Sequence, residues 1–418
     1  MAELTPWQQV LLYANRANPY PFYAELRKTP VSRQPDDSYV VSTYREIMAI
    51  LHDPRVSSDL RKRPSAATAP VEESAVEPTS AYVREASMLT TDPPDHDRVR
   101  HLCMKHFGPP HTPELVSSLE PSFHHIVTDL LDKLKGATRA DFVDQFAYRL
   151  PVTVICDVLG VPREDEVRFH AWIQAFMDGL DFGPEAASEE QKNRLELGRK
   201  GMEEVRIYLA GLLDKYAKEP GQGLLSPMVN DTNSGERLSQ GEILANAMLL
   251  LIAGHETTVN LIAHSVLTLL RYPAVLEKLR REPELVVPAV EEFLRFESSV
   301  QFWPTRTALE EIELAGMTIP KGSPVILVYA SGNRDPNRFA NPDEVDIERK
   351  DNEHLGYGSG IHLCFGAPLA RLEAQVAIGE FTRRVKNPRL VVDPPPYRHN
   401  QVFRGPRHVM VEFEGIID

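Results

Sequence analysis

The sequence contains few cysteines. Cys103, Cys156 and Cys364 are the three among 418 residues, and a chain of this length with three cysteines has no disulfide framework. The first residues lack a basic segment followed by an apolar one, so no secretory signal is visible. These absences predict a reduced, cytoplasmic protein.

Long apolar runs and a basic surface are also missing. The most apolar stretch, residues 247–254, ends where His255 and Glu256 interrupt it, whereas a membrane span needs about 20 residues. Acidic residues outnumber basic ones by 60 to 46, which gives a net charge of −14 and disfavours a nucleic-acid binder. We therefore expect a soluble globular protein with no membrane anchor and no nucleic-acid partner.

The spacing of apolar residues predicts a mainly α-helical protein with smaller β-sheets, an α+β fold. The helical portion covers about 95–300 and 366–385, with the clearest periodicity at 114–135, 147–159, 163–180, 188–218 and 239–270. The β-rich portions lie near 30–60, 304–330 and 386–418, with strand-like segments at 311–319 and 324–329. Residues 61–80 have little periodicity and predict a mobile loop. Because strands at both ends enclose a helical middle, we expect one domain over residues 1–418.

One cysteine lies in a glycine-rich segment, residues 355–366, just before a predicted helix. A dinucleotide-binding fingerprint fails there, because its third glycine would fall on Ile361 or Leu363, and no phosphate-loop lysine follows. Free N–H groups at a helix start stabilise a thiolate, and glycines let a flat ligand approach the backbone. From these residues alone, a buried structural cysteine in a tight turn remains an alternative.

The order of residues in this segment resembles the haem-binding signature of the cytochrome P-450 family. The match runs from Tyr357 through Gly358, His362 and Cys364 to Gly366. The resemblance implies that Cys364 is the proximal thiolate ligand of haem b. The family usually has phenylalanine at the position of Tyr357, whose phenol hydroxyl would need a partner or a water.

Two further segments resemble marks of the same family. Glu292 and Arg295, three residues apart on one helix face, resemble the family's buried core bridge to the irregular segment 331–354. Residues 253–258 resemble the oxygen-activation sequence; a zinc-protease motif fails there, because position 259 is valine. The resemblance implies that Gly254 makes room for dioxygen, that Thr257 hydrogen-bonds the activated oxygen, and that Glu256 relays protons towards it.

Haem carries two propionates, which require cationic or hydrogen-bonding partners. His96 and Arg100 lie four residues apart on one predicted helix face, as in the family's propionate-binding helix. Arg306 matches the family's strand arginine, and His362 adds a donor. Each of these alone is more typical of a solvated surface charge, but the four occur in the family's order.

The resemblance implies the P-450 fold, with the haem between the long oxygen-activating helix and the helix after the cysteine. It also implies a monooxygenase of the soluble bacterial type, a monomer that inserts one oxygen atom from O2 into a small, largely apolar molecule. Electrons would come from NAD(P)H through ferredoxin and ferredoxin reductase, and Arg98 and Lys105 are weak candidates for docking ferredoxin. The substrate pocket implied by family placement comprises Met88, Leu89, Phe176, Leu180, Leu249, Leu250, Ala253, Val300, Gln301, Phe302 and Val402. Gln301 is the polar exception and is expected to orient a carbonyl or hydroxyl group.

Two alternatives keep the haem and change the function. A peroxide-driven peroxygenase usually replaces the acid–alcohol pair, so Glu256 and Thr257 argue against it. A haem protein that stores or senses a gas would have no use for a proton relay. The third alternative is the structural protein with a buried Cys364.

Overall fold

The computed structural model describes residues 4–62, 87–107, 114–180, 188–232 and 236–418. The loop predicted over 61–80 lies, apart from its first two residues, outside these ranges.

The described part of the chain is mainly helical. In chain order, its α-helices are α1 Pro6–Leu11, α2 Tyr20–Arg27, α3 Tyr44–Leu51, α4 Asp95–Phe107, α5 Leu115–Ser118, α6 Glu120–Asp132, α7 Arg149–Leu159, α8 Glu166–Gly179, α9 Glu189–Lys218, α10 Leu225–Val229, α11 Gln240–Arg271, α12 Pro273–Arg281, α13 Val286–Phe296, α14 Tyr329–Gly332 and α15 Ala367–Arg384.

Short strands from distant parts of the sequence pair in small sheets. The strands are β1 Val31–Arg33, β2 Tyr39–Val41, β3 Val56–Ser57, β4 Arg139–Asp141, β5 Trp303–Ala308, β6 Ile312–Leu314, β7 Met317–Ile319, β8 Pro324–Leu327, β9 Val385–Lys386, β10 Arg389–Leu390, β11 Met410–Glu412 and β12 Gly415–Ile416. The largest sheet has the order β1-β2-β8-β5-β3, in which β2 and β8 run parallel with Tyr39 opposite Val325. A second sheet has the order β10-β11-β4. Strands from the N-terminal and C-terminal segments thus pair with strands from distant parts of the chain.

The structure differs from the predicted elements at two places. The helix predicted over 114–135 is broken at Leu119, two residues before Pro121, because proline is tolerated only in the first turn of a helix. The strand-like segment 311–319 is a hairpin of β6 and β7. Ala315 and Gly316 turn it with φ angles of +50° and +76°, the backbone that a two-residue hairpin turn requires.

Helix α11 forms the centre of the helical part. It begins with a capping box, in which the Ser239 side chain accepts from the backbone N–H of Glu242 and Glu242 accepts from that of Ser239. Beyond Ile243 most of its side chains are buried against α7, α13 and α15, as expected of a helix that is apolar on all sides. Within the described ranges no single helix is long and apolar enough to cross a membrane; α11 and α12 meet that criterion only as a pair bent by 104°.

The site elements meet around α11 and the segment before α15. Helix α4 lies against this segment, where Phe107 stacks on Phe365 with ring centroids 4.7 Å apart. Strand β5 brings Arg306 to the same region from the largest sheet. The fold therefore gathers residues that lie more than 200 positions apart in the sequence.

Candidate active site

The cysteine loop is held by its own backbone. Gly358 and Gly360 have φ angles of +68° and +69°, which favour glycine. The N–H of Cys364 donates to the Tyr357 carbonyl at 2.9 Å. A Cβ at Gly360 would lie 2.5 Å from the Leu51 carbonyl oxygen, so that glycine also permits the loop to dock on α3.

Cys364 differs from the other two cysteines. Its side chain is solvent-accessible, whereas Cys103 and Cys156 are buried, and burial raises the pKa of both buried thiols to about 12. Surrounding protein atoms also raise the pKa of Cys364, but the backbone N–H groups of Gly366 and Ala367 and two guanidinium groups nearby act against that increase. The loop therefore presents an accessible sulfur beside groups that stabilise negative charge.

Tyr357, within this loop, is partly buried, and its hydroxyl oxygen is shielded from solvent. Its hydroxyl has no hydrogen-bond partner within the described ranges, and the Arg371 guanidinium lies 4.3 Å from the centre of its ring. Arg371 donates two hydrogen bonds of 2.9 Å to Glu291. Burial raises the pKa of Glu291, but the hydrogen bonds from His354 and Arg371 outweigh this effect and bring the pKa down to about 2. The ring thus packs against an ion pair that does not engage its hydroxyl.

Two histidines meet on one side of the cysteine loop. The rings of His96 and His362 lie 4.5 Å apart. His96 Nδ1 lies 2.8 Å from Asp97 Oδ1, while its buried Nε2 has no partner in the described residues. His362 Nε2 lies 2.8 Å from Ser58 Oγ. An unpaired buried nitrogen at this place fits an acceptor supplied by a bound group.

Two arginines complete this group of donors. Arg306 is almost fully buried, and the hydrogen bond that the structure gives its side chain is a long one of 3.3 Å to its neighbour's carbonyl. Arg100 Nη2 donates to the Leu363 carbonyl at 2.7 Å. Burial, Arg306 and His96 lower the pKa of His362 to about 3. The four residues matched to the propionate site are therefore together, and the positive charge of the two arginines suits the carboxylates of haem.

The central part of α11 carries the acid–alcohol pair. Thr257 Oγ1 donates to the Ala253 carbonyl at 2.6 Å. The Glu256 carboxylate is buried, and its Oε1 lies 3.0 Å from Arg398 Nε. A Cβ at Gly254 would meet the Ile155 side chain at 3.0 Å. A glycine at position 254 therefore lets α11 approach α7 closely. The neighbouring Ala253 is exposed.

The residues predicted to line the substrate pocket divide into two groups. Those that keep accessible surface are Leu89, Phe176, Leu180, Leu249, Ala253 and Val300. Met88 and Leu250 are buried in the main core, which Phe176, Leu180 and Leu249 contact from its edge. Leu249 and Ala253, four residues apart, lie on one face of α11.

Gln301, Phe302 and Val402, which are also among the predicted pocket residues, are buried in the structure. Gln301 accepts from the Tyr23 hydroxyl at 2.6 Å and donates to the Gln401 carbonyl at 2.8 Å, so both ends of its amide are hydrogen-bonded inside the protein. Phe302 and Val402 are buried in a cluster with the N-terminal helices. The half-buried Phe403 instead packs against both this cluster and the main core.

Glu292 and Arg295 form a fully buried pair. Arg295 donates to both carboxylate oxygens at 2.8 Å. It also donates to three backbone carbonyls, those of Asn333, Pro342 and Glu344. The pair thus fastens α13 to the irregular segment that precedes the cysteine loop.

Comparisons with known proteins identify the family. The sequence profile described as Cytochrome P450 matches residues 213–413. Cytochrome P450 107B1 of Saccharopolyspora erythraea is 37% identical over 389 residues, 92% of each chain. The vitamin D(3) 25-hydroxylase of Pseudonocardia autotrophica is 39% identical over 396 residues, 93% of this chain and 92% of the relative.

Solved structures give the same result for the fold. P450BioI, crystallised with an acyl carrier protein ligated to hexadec-9Z-enoic acid, is 35% identical and superposes with a TM-score of 0.85. The match covers 96% of this chain and 99% of that one, which confirms the predicted fold class. The family implies haem as the cofactor. From the motifs, the fold and these relatives, the chain belongs to the cytochrome P450 family and is a P450 monooxygenase of small organic substrates.

Proposed function

We propose that this chain inserts one oxygen atom from O2 into a small, largely apolar molecule by hydroxylation or epoxidation. The observation that carries the proposal is the accessible Cys364 beside a group of cationic and hydrogen-bonding side chains that includes an unpaired buried nitrogen, His96 Nε2. When bound, haem b supplies an iron centre that activates dioxygen, and thiolate ligation favours O–O cleavage. Cys364 would hold the iron.

The propionates would be held by His96, Arg100, Arg306 and His362. Because His96 Nδ1 lies at hydrogen-bond distance from the Asp97 carboxylate and must carry a proton there, Nε2 can donate to a propionate when the ring is charged. Arg306 offers a guanidinium group whose N–H donors are largely free within the described ranges. Such a group binds a carboxylate in a bidentate manner, with one N–H bond to each oxygen. These groups would orient the cofactor between α11 and the cysteine loop.

Thr257 and Glu256 would manage protons on the α11 side. Because the Thr257 hydroxyl donates to Ala253, its oxygen is free to accept a hydrogen bond, and it can pass on its own proton once the hydroxyl turns away from that carbonyl. Glu256 is the neighbouring group that can replace that proton. Protons delivered at Thr257 Oγ1 favour oxygen transfer over release of peroxide.

The pocket surface supports an apolar substrate. With Gln301 turned into the core, its predicted lining on α8 and α11 is aliphatic and aromatic, with Phe176, Leu180 and Leu249 at the edge of the core. A vitamin D(3) hydroxylase and a P450 crystallised with a fatty acyl group are among the relatives. We extend this pattern to the present chain as a steroid-like, terpenoid, polyketide or fatty acyl substrate.

Electrons would come from NAD(P)H through a ferredoxin and its reductase, with the chain a cytoplasmic monomer. Arg98 is a poor docking residue, because it is paired with Glu242. Lys105, which is partly exposed on α4, remains the candidate.

The first test is spectroscopic. The reduced, carbon monoxide-bound protein should show the red-shifted Soret band typical of thiolate-ligated haem, and Cys364→Ala should abolish that band. Absence of the band in the wild type would refute the haem–thiolate proposal and favour a structural cysteine.

The second test is turnover with surrogate ferredoxin, reductase and NAD(P)H on a panel of apolar substrates. Thr257→Ala should lower product formed per NAD(P)H oxidised and raise hydrogen peroxide, while the neighbouring Thr258→Ala, whose side chain is buried, should keep the coupling of the wild type. Unchanged coupling in Thr257→Ala would refute the assigned role. Turnover with peroxide alone at the same rate would instead favour the peroxygenase alternative, and no product with any donor would favour a non-catalytic haem protein.

A further inference from the structure

We propose that Arg398 is a positioning residue for Glu256 and that Gln174 of α8 holds Arg398 in place. This inference rests on the proton-relay role proposed above for Glu256. Arg398 lies in the C-terminal segment, far from every motif that identified the site.

Glu256 and Arg398 form a buried pair of opposite charges. Both side chains are at least 97% buried, and Glu256 Oε1 lies 3.0 Å from Arg398 Nε. An ionised carboxylate at such depth is strongly unfavourable without a cation beside it. Arg398 therefore determines where the carboxylate can lie.

The geometry of this ion pair leaves the carboxylate oxygen available. Nε and Oε1 are close but poorly aligned, so that neither atom has a hydrogen-bond partner in the described part of the chain. The attraction is one of charge, and it does not occupy the lone pairs of Oε1 with a directed N–H bond. A relay group needs this arrangement, because the oxygen must accept and release a proton.

A buried pair in the same segment has the opposite geometry. Arg404 donates directly to the carboxylate of Glu297 and also to the carbonyls of Arg16 and Ala17. That pair is fully hydrogen-bonded, as expected of a structural bridge. The contrast indicates that the looser contact of Arg398 serves a different purpose.

Arg398 is anchored independently of α11. Its N–H donates to the Gly405 carbonyl at 3.0 Å, and its Nη1 donates to Gln174 Oε1 at 2.7 Å. The Gln174 amide is oriented in turn, because its Nε2 donates to Asp178 Oδ1 at 2.9 Å. The bonds to Gln174 and Gly405 restrain the Arg398 guanidinium. Glu256 is thus positioned from a second helix, α8, through Arg398.

The experiment compares coupling in single and double variants of the holoenzyme. Gln174→Met keeps the length of the side chain and every charge but removes the acceptor for Arg398. We expect a severalfold loss of product per NAD(P)H oxidised, a matching rise in peroxide and a changed solvent isotope effect. The carbon monoxide band and the substrate-induced Soret shift should stay those of the wild type.

Three further variants show whether the effect passes through Glu256. Arg398→Lys should reduce coupling in the same direction. Gln174→Met added to Glu256→Gln should cause no further loss, since residues that act through one group are not additive. Arg407→Lys, which alters a surface-paired arginine of the same segment, is the matched control and should keep the coupling of the wild type.

The outcomes separate this inference from the function on which it rests. If Glu256→Gln uncouples the enzyme but Gln174→Met and Arg398→Lys behave like Arg407→Lys, the positioning role is wrong and the relay stands. If the losses of Gln174→Met and Glu256→Gln add, Gln174 affects coupling by a route that does not pass through Glu256, and the inference is also wrong. If Glu256→Gln is fully coupled, the relay and this inference fall together. Should Arg398→Lys fail to fold, the two Gln174→Met results decide.

Discussion

Removing Arg295 should destabilise the protein more than any other single change on α13. Its guanidinium is fully buried and makes five hydrogen bonds, two to Glu292 and three to backbone carbonyls. In Arg295→Met the aliphatic volume is kept and these bonds are lost. The Glu292 carboxylate then remains buried with Arg349 as its nearest cation, at 3.1 and 3.4 Å.

The magnitude follows from these contacts. Breaking a buried ion pair by removing one partner costs about 3–5 kcal/mol. Each carbonyl left without its donor adds a penalty of about 1 kcal/mol or more, although relaxation and water entry offset part of it. Since a domain is stable by about 5–15 kcal/mol, Arg295→Met should lose a third of that stability or more.

The assay is urea unfolding of the holoprotein, followed by the Soret band and by far-ultraviolet circular dichroism. Midpoints are compared, because a chain of this length need not unfold in one step. Arg349→Met is the matched control: it removes the more distant cation from the same carboxylate and should shift the midpoint less. Equal shifts in the two variants, or a shift for Arg295→Met worth less than about 1 kcal/mol, would refute the reasoning.

Three other changes have defined outcomes. Gln301→Leu should lower the unfolding midpoint, because two buried partners lose a hydrogen bond, and it should leave the substrate-induced Soret titration unchanged. Leu249→Ala should alter that titration. The reverse pattern would show that Gln301 lines the pocket. Burial raises the pKa of Glu297, but Arg404 and other cations outweigh this effect and lower the pKa from its ordinary 4.5 to about 2. The ionised Glu297 therefore stabilises the fold above pH 4.5, and this contribution is lost as the pH falls towards 2. Unfolding midpoints measured across this pH range should fall less steeply in Glu297→Gln than in the wild type, and equal slopes would contradict that. In Gly254→Ala, contact with Ile155 should cost about 1–3 kcal/mol through overpacking, offset in part by a gain of about 1 kcal/mol in helix propensity. The substitution should be less costly in an Ile155→Ala background than in the wild type, and strictly additive midpoint shifts would show that the two residues do not compete for space.

The parts of the site that could be predicted are those in which a local pattern carries the chemistry. Gly358 and Gly360 occur where the backbone turns left-handed, and the cysteine after them lies at a helix start. The capping box before α11 predicts where the long helix begins, because Ser239 and Glu242 satisfy its first N–H groups. Such features need no knowledge of the rest of the chain.

Side-chain direction in irregular segments was not predictable in this way. Gln301 and Val402 lie in extended chain that pairs through isolated bridges and single hydrogen bonds. A regular strand would fix alternation over several residues, but here nothing local decides which neighbour faces the core.

Arg398 shows what a sequence pattern leaves out altogether. No residue near it in the sequence signals a carboxylate partner, and the segment around it reads only as rich in proline. Its importance arises from depth: Glu256 is placed on the buried side of α11 by the helical register, and a buried carboxylate requires a cation from some other element. A glutamate inside an apolar helix therefore predicts that such a partner exists, while the tertiary fold alone decides that it is Arg398, bonded to Gln174. Where a relay acid is buried, the residues that control it are to be sought among the contacts of its counter-ion.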